Sequence, residues 1–398
     1  MTAPPALTLI DTAVFVAVVV PFLMLVRSRN AIPRLPAADS ATSTPRVSVV
    51  IAARDEAASI GGSVASLLRQ DYPDVEIVAV DDRSRDRTSA VLHELAGRDH
   101  RIVTIRIDEL PTGWLGKNHA LWCGAQRASG AWILFTDADV VFAPDAVRRA
   151  MAYATAKGLD HLTLTPLLVA RGVLLRAFVT FFGYVFIAFW GAYRANDPRS
   201  RHGVGVGAFN LVQREAYEAI GTMRSISLRP DDDIRLGRRI RRCGFRQRLL
   251  NGRDVIEVEW YRSLGAAIAG LEKSLYASME YRAIDAALVV FFLVGTMVWP
   301  FVGVVVLDGL DRVLLAIVVG CLWLGLAETY RQSTGPLRAA TALPIILLPV
   351  SAVVFAYAIV RSVVLAERRG VSWRGTVYPL SVLRAQSGLE GTAANRNR

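Results

Sequence analysis

The sequence holds only three cysteines in 398 residues, Cys123, Cys243 and Cys321. Their spacing fits neither a metal knuckle nor a redox pair, and an odd, scattered set argues against a disulfide framework and for a reducing compartment. Acidic residues are also in short supply: 35 Asp and Glu face 46 Lys and Arg, a formal net charge of +11. No basic module with interleaved stacking aromatics accompanies that excess, so no nucleic-acid partner is expected. Cytoplasmic loops and anionic headgroups are the expected use of the charge. Charged residues make up 20% of the chain against 53% hydrophobic ones, and mean hydropathy is +0.35. That balance excludes an ordinary soluble enzyme. No internal repeat is evident.

Long apolar runs flank a more polar middle. Leu7 to Val26 is long enough to cross a bilayer. No Lys or Arg precedes it, whereas Arg27, Arg29 and Arg34 follow it, the reverse of a signal peptide. Residues 1–30 therefore read as an anchor with its N-terminus outside, and 31–45 as a polar, proline-bounded linker. A catalytic domain is expected over 46–265. Within it, about 173–193 is apolar enough to span but would then split the acidic motifs across the membrane, so it is expected to lie at the interface. An amphipathic interfacial segment (266–283), a C-terminal transmembrane region (284–366) and a basic cytoplasmic tail (367–398) complete the chain. Three apolar runs occupy the C-terminal region: Ala286 to Leu307, Val313 to Ala327 and Thr341 to Leu365. If all three crossed, Arg368, Arg369 and Arg374 would end outside, so one run is expected to be interfacial or re-entrant.

From Arg46 the pattern alternates strand and helix. Strands are expected at Val47–Ala53, Val75–Val80, Arg101–Ile107 and Trp132–Thr136. Helices are expected at Glu56–Arg69, Thr88–Ala96 and Asn118–Arg127. Such alternation predicts a largely parallel sheet with its site at the carboxyl ends of the strands. Three of those ends are chemically loaded. Arg54-Asp55-Glu56 follows the first strand, and Asp81-Asp82-Arg83-Ser84-Arg85-Asp86-Arg87-Thr88 the second. Asp137-Ala138-Asp139 follows the strand Trp132–Thr136. Two carboxylates at a strand end suit a hard divalent cation that bridges a diphosphate. Further on, Asp231-Asp232-Asp233 opens a helix, where acids also favour the macrodipole. The arginines between 235 and 248 read most simply as a solvated or headgroup-facing helix, and His93, His100, His161 and His202 form no metal-like pair.

Together these pieces resemble the family 2 glycosyltransferases of the GT-A fold. The carriers are Ala53-Arg54-Asp55-Glu56, the complete Asp-Asp-x-Ser-x-Asp-x-Thr segment from Asp81, Gly116-Lys117-x-x-Ala120, and Asp137-Ala138-Asp139. The glycine-rich stretch Gly203 to Leu211 and Asp232-Asp233-x-x-Leu236 extend the likeness over 46–265. The segment Leu110 to Lys117 is similar to that of hopanoid-associated and carotenoid-type lipid glycosyltransferases. Trp373-Arg374-Gly375-Thr376-Val377-Tyr378 resembles their tail, with Thr376 in place of an arginine. The Gln/Arg-x-x-Arg-Trp motif of processive synthases is absent from Glu257 to Arg262.

The resemblance implies an α/β GT-A (Rossmann-like) catalytic domain between N- and C-terminal transmembrane helices, at the cytoplasmic face of the cell (inner) membrane. It implies a UDP- or GDP-type nucleotide-sugar held by Ala53, Arg54, Glu56, Asp81, Asp82, Lys117 and Asp137. Mg2+ or Mn2+ would sit on Asp139 and Asp137. Asp233, supported by Asp232, would be the base that deprotonates a lipid hydroxyl. Gly207, Ala208, Phe209 and Trp260 would face the acceptor, and transfer would invert the anomeric centre. The alternatives are a polyprenyl-phosphate glycosyltransferase, a polysaccharide synthase or, outside enzymes, a membrane scaffold.

Overall fold

The computed structural model describes residues 5–27, 31–38, 44–333 and 342–386. Arg29, part of the proline-bounded linker, Thr341 and residues 387–398 of the basic tail lie outside them. The chain forms two compact units. One takes in 31–169 and 194–259; the other takes in the N-terminal segment to residue 30, 170–193 and the chain from 260 onward.

In chain order, α1 is Pro5–Arg27. The α/β unit then runs β1 (Val47–Ala53), α2 (Ile60–Leu68), β2 (Val75–Asp82), α3 (Thr88–Arg98), β3 (Ile102–Ile107), α4 (Gly116–Arg127), β4 (Trp132–Asp137), β5 (Val140–Phe142), α5 (Ala146–Ala156), β6 (His161–Thr165) and β7 (Leu167–Val169). After α6 (Val173–Tyr184), which belongs to the other unit, it resumes with β8 (Asn210–Gln213), α7 (Arg214–Ala219), α8 (Asp232–Arg242), β9 (Gln247–Asn251) and β10 (Ile256–Glu259).

The main sheet is mixed, in the order β3-β2-β1-β4-β8-β6-β9, and a second sheet pairs β5, β10 and β7. β1, β2, β3 and β4 are parallel, whereas β8 runs antiparallel to β4 and β6. β1 and β2 are buried along almost their whole length, as continuous apolar runs such as VSVVIAA and VEIVAV require of strands covered on both faces. The expected strands recur within a residue or two. The first helix begins four residues later than expected, at Ile60. The reason is local: Asp55 adopts a left-handed backbone (φ 55°), and the amides of 55–57 are bonded to the loop after β2 rather than to a helical turn.

The other unit is helical. It holds α1, α6, α9 (Leu264–Ser278), α10 (Ala283–Met297), α11 (Trp299–Val306), α12 (Gly309–Ser333), α13 (Ala342–Ile346), α14 (Leu348–Arg369) and a hairpin of β11 (Val371–Trp373) and β12 (Thr376–Tyr378). Among the described residues, four segments are long and apolar enough to cross a membrane: Leu7–Val26, Ala283–Val306, Gly309–Ser333 and Leu348–Arg369. Val173–Phe189 is a shorter apolar helix whose last turn is a π-turn, Val185–Phe189. Two of the apolar runs are interrupted next to prolines. The interruption between α10 and α11 sits beside Pro300, and that between α13 and α14 beside Pro349, because proline supplies no N–H to a preceding turn. Buried polar contacts tie the helices. Trp299 Nε1 donates to Asp11 (2.8 Å) and Thr8 donates to Asp311 (3.3 Å).

Candidate functional site

The pairing register brings three loaded strand ends side by side, Ala53 opposite Asp81 and Ala52 opposite Asp137. The Asp-x-Ser-x-Asp-x-Thr segment works there as a clasp. The amides of Asp55, Glu56 and Ala57 donate to Ser84 Oγ (3.0 Å), Thr88 Oγ1 (2.8 Å) and Asp86 Oδ2 (3.0 Å). In return, the Arg85 amide donates to Asp55 Oδ1 (2.7 Å). Burial would raise the Asp86 carboxyl, but hydrogen bonds from Thr88 and Ala57 outweigh it and hold it below its ordinary value. The clasp fixes the loop that carries Arg54 and Glu56. Asp81 and Asp82 are both buried. Asp81 accepts from the Ser84 amide and Arg106; Asp82 accepts from Arg83 and lies 3.7 Å from Arg54.

Lys117, at the start of α4, joins the two halves of the site. Its Nζ is 2.8 Å from Asp137 Oδ1 and 3.3 Å from Asp232 Oδ2. Burial works against its charge, but Asp137, Asp232 and Asp233 outweigh burial and hold the ammonium charged. Next to it, the fully buried Asn118 donates its amide to the carbonyls of Ile226 (2.8 Å), Ser227 (3.2 Å) and Arg229 (2.9 Å). Those contacts fix the approach to α8.

Asp139 is pushed up to about 7, first by burial and then by the Asp137 and Glu56 carboxylates. Crowded acids of this kind favour a cation among them. Among the described residues no three His, Cys, Asp or Glu side chains form a metal cage. A cation that takes one or two carboxylates and completes its shell from phosphates and water needs none. Asp139 and Asp137 thus fit a divalent ion brought together with a diphosphate.

The three acids before and within α8 have three separate roles. Asp231 is buried between Arg229 (2.9 Å) and Arg235 (2.9 Å), whose charges outweigh its burial and hold it below its ordinary value. Asp232 faces Lys117. Asp233 accepts the Gly207 amide on Oδ2 (2.8 Å) and the Ile234 amide on Oδ1 (2.8 Å). It is pushed up to about 7 by burial and then by Asp232. The glycine-rich loop lies directly on α8: a Cβ on Gly237 would meet the Val204 carbonyl oxygen at 2.2 Å. A Cβ on Gly207 would stand 2.6 Å from Asp137 Oδ2 and 3.4 Å from Asp233 Oδ2. One glycine therefore separates Asp137 from Asp233. Lys117, Thr136, Asp137, Gly207, Asp232 and Asp233 line a single pocket.

Several expected site residues take supporting positions. Ala53, Ala208 and Phe209 are buried, and Phe209 packs in the core against Phe142 with ring centres 6.1 Å apart. Their backbones, rather than their side chains, are what the loops present. Trp260 belongs to the helical unit, where it packs on Phe182 (4.5 Å) and Tyr261 (4.9 Å). The arginines of α8 correct the reading of a solvated helix. Arg235 pairs with Asp231, Arg239 donates to the Ile220 carbonyl, and Arg241 donates to those of Ser200 and Asp197. Sequence reasoning missed Asn118 and the buried ring of polar groups around His161, because both act on backbone carbonyls and amides distant in the chain.

Residues 48–221 match the family Glycosyl transferase family 2. The 4,4'-diaponeurosporenoate glycosyltransferase of Staphylococcus aureus (strain MRSA252) is 26% identical over 195 residues, 48% of this chain and 50% of the relative. The Staphylococcus haemolyticus protein of the same name is 32% identical over 98 residues, 25% of each chain. The chain spans about half the length, or less, of the curated relatives it matches. A solved mannosyltransferase from Pyrobaculum calidifontis, in complex with GDP-Man and Mn2+, is similar in fold: TM-score 0.55 at 20% identity, over 88% of this chain and 99% of that one.

Proposed function

We propose, from the match of residues 48–221 to glycosyl transferase family 2 and from the GT-A-like fold, that the chain moves a sugar from a nucleoside diphosphate to the hydroxyl of a membrane lipid. The observation that carries this reading is the Gly207 junction, which sets Asp137 and Asp233 on either side of one residue. Donor and acceptor groups must meet across such a junction for a direct displacement.

The donor half is the set of strand ends, with Arg54, Glu56, Asp81 and Asp82 about the nucleoside. Lys117 is already charged and would exchange its carboxylate partners for the diphosphate, as a point charge suits. A divalent cation on Asp139 and Asp137 would offset the charge that develops on the leaving diphosphate.

On the acceptor side, Asp233 Oδ takes the hydroxyl proton as the new oxygen–carbon bond forms at the anomeric centre. The bond from that carbon to the phosphate oxygen breaks, and its electron pair leaves with the nucleoside diphosphate. A single displacement inverts the anomeric carbon. Asp233 lies beyond the matched span of the family, and its role rests on its raised carboxyl and its Gly207 hydrogen bond. The lipid acceptor rests on the four span-length apolar helices and on the names of the Staphylococcus relatives. The arginines that follow α1 support a polar site at the cytoplasmic face of the inner membrane.

The Asp233→Asn variant tests the assignment. A hydroxyl acceptor needs the base, so transfer should fall by about 10²–10⁴-fold while metal-dependent donor binding persists. A phosphate acceptor, already an anion, would leave transfer nearly intact, and that result would replace the lipid hydroxyl by a lipid phosphate.

A further inference from the structure

Beneath the glycine-rich loop lies a closed network of buried polar side chains with no place in the chemistry described above. Three neighbouring strands, β8, β6 and β9, contribute Asn210, His161 with Thr163, and Gln247. All four are buried, His161 and Thr163 completely. Placing four polar side chains inside a sheet is unfavourable unless each is bonded.

The bonds run in one direction and end on the loop. Gln247 Oε1 accepts the Val204 amide (3.0 Å) and Gln247 Nε2 donates to the Val204 carbonyl (2.8 Å), so a side-chain amide pairs with both backbone groups of one residue as a strand would. The same Nε2 lies 2.6 Å from His161 Nδ1, and His161 Nε2 lies 3.2 Å from Asn210 Oδ1. Gln247 Nε2 is only a donor and Asn210 Oδ1 only an acceptor, so the imidazole is neutral with its proton on Nε2. Burial pushes this histidine down to about 4, which keeps it in that form at neutral pH. Asn210 Oδ1 (3.3 Å) and Thr163 Oγ1 (3.0 Å) both receive the Val206 amide, and Thr163 donates to the Phe209 carbonyl (2.8 Å). The backbone is thus held at 204, 206 and 209, on both sides of Gly207.

We propose that the His161–Gln247–Asn210–Thr163 network is a positioning device for the transfer step, setting the Gly207 amide against the Asp233 carboxylate and leaving the nucleotide pocket alone. His161 fixes which way the Gln247 amide faces; a flipped amide would meet Val204 with donor against donor and acceptor against acceptor. None of the four touches the loops that carry Arg54, Glu56, Asp81 or Asp82 through any bond described for them. A displacement of the loop by about 1 Å is enough to cost roughly 100-fold in rate. The proposal rests on the glycosyltransferase reading above, and two kinds of measurement keep the two separable.

The first is hydrogen–deuterium exchange of the full chain, which needs no activity. His161→Phe and Gln247→Leu should each deprotect peptides covering 203–209 while peptides covering β1 and β2 keep wild-type protection. The second is transfer kinetics with Thr163→Val, which removes the hydroxyl, and Thr163→Ser, which keeps it. Thr163→Val should lower kcat for transfer about tenfold or raise the acceptor KM, with donor binding within about twofold of wild type; Thr163→Ser should restore both. Unchanged exchange over 203–209, or a Thr163→Val loss shared equally by donor binding and not rescued by serine, would overturn the proposal. Wild-type chain that binds no nucleotide-sugar would instead count against the function, with the exchange result still deciding whether the network holds the loop.

Discussion

Burial and the neighbouring Asp232 push the Asp233 carboxyl up to about 7 from the usual 3.8. Such a group changes charge near neutrality, where a base that must shed its proton after each turnover works best. The sign for stability is the opposite. Between those two values the fold holds a proton that the unfolded chain releases, so the contribution is present below about 4 and lost as pH rises through 7. In metal-free buffer Asp233→Asn should therefore melt above wild type at pH 8, and the two should converge as the pH falls toward 4, as thermal scans across that range would show. Transfer by the wild type should decline below about pH 7 as the base gains its proton, which a pH–rate profile reads directly. These acids were legible in the sequence because each follows an apolar strand or opens a helix. Asp231 was not separable from its neighbours there, since its role comes from Arg229 and Arg235 closing around it in three dimensions.

The elements that position these residues do so through backbone contacts. Asn118 is the plainest case: one side chain satisfies the carbonyls of Ile226, Ser227 and Arg229 from the first turn of α4. Asn118→Ala would leave these buried acceptors without their donor, a loss of roughly 1–3 kcal/mol, visible as a lower melting temperature. Gly207 makes a sharper test of the junction. Its alanine variant would press a methyl group to 2.6 Å from Asp137 Oδ2, so transfer should fall by roughly 100-fold while the fold remains. A melting temperature close to wild type would separate this loss from unfolding. Strand identities were readable from runs such as VSVVIAA because a strand buried on both faces is apolar throughout. The start of α2 was not, because a turn pinned by Ser84, Asp86 and Thr88 replaces its first turn. The His161 network follows no period along the chain, which hid it from any pattern of spacing.

In the whole molecule, the helical unit has its own internal logic of sides. Arg384 donates to the Tyr281 carbonyl (3.1 Å) just ahead of α10, and Thr8 at the start of α1 reaches Asp311 at the start of α12. With α10–α11 and α12 as two successive crossings, residue 333 returns to the side of Tyr281. The Tyr276–Glu367 hydrogen bond (2.6 Å) places the end of α14 on that side as well. On that assignment we propose that α14 makes no net crossing, although its length and apolarity would allow one. Its Phe355 packs instead on Phe178 and Phe181 of the short helix α6. Such an arrangement would keep Arg368, Arg369 and Arg374 on the side that the positive-inside rule favours. In chains stripped of native cysteines, Arg374→Cys and Leu310→Cys should react with an impermeant thiol reagent from opposite faces of sealed vesicles; the same face would make α14 a true span. Run lengths made the long apolar helices legible from sequence, while the path of α14 depended on contacts with α6 and α9. Lipid glycosylation is the activity proposed for this chain. Transfer from radiolabelled nucleotide-sugars into lipid extract by the purified full chain, with and without Mn2+, tests it most directly. Label in a chloroform-soluble product that requires the metal, Asp139 and Asp233 is the result expected. No labelled lipid from any donor, with wild-type chain folded and metal present, would contradict it.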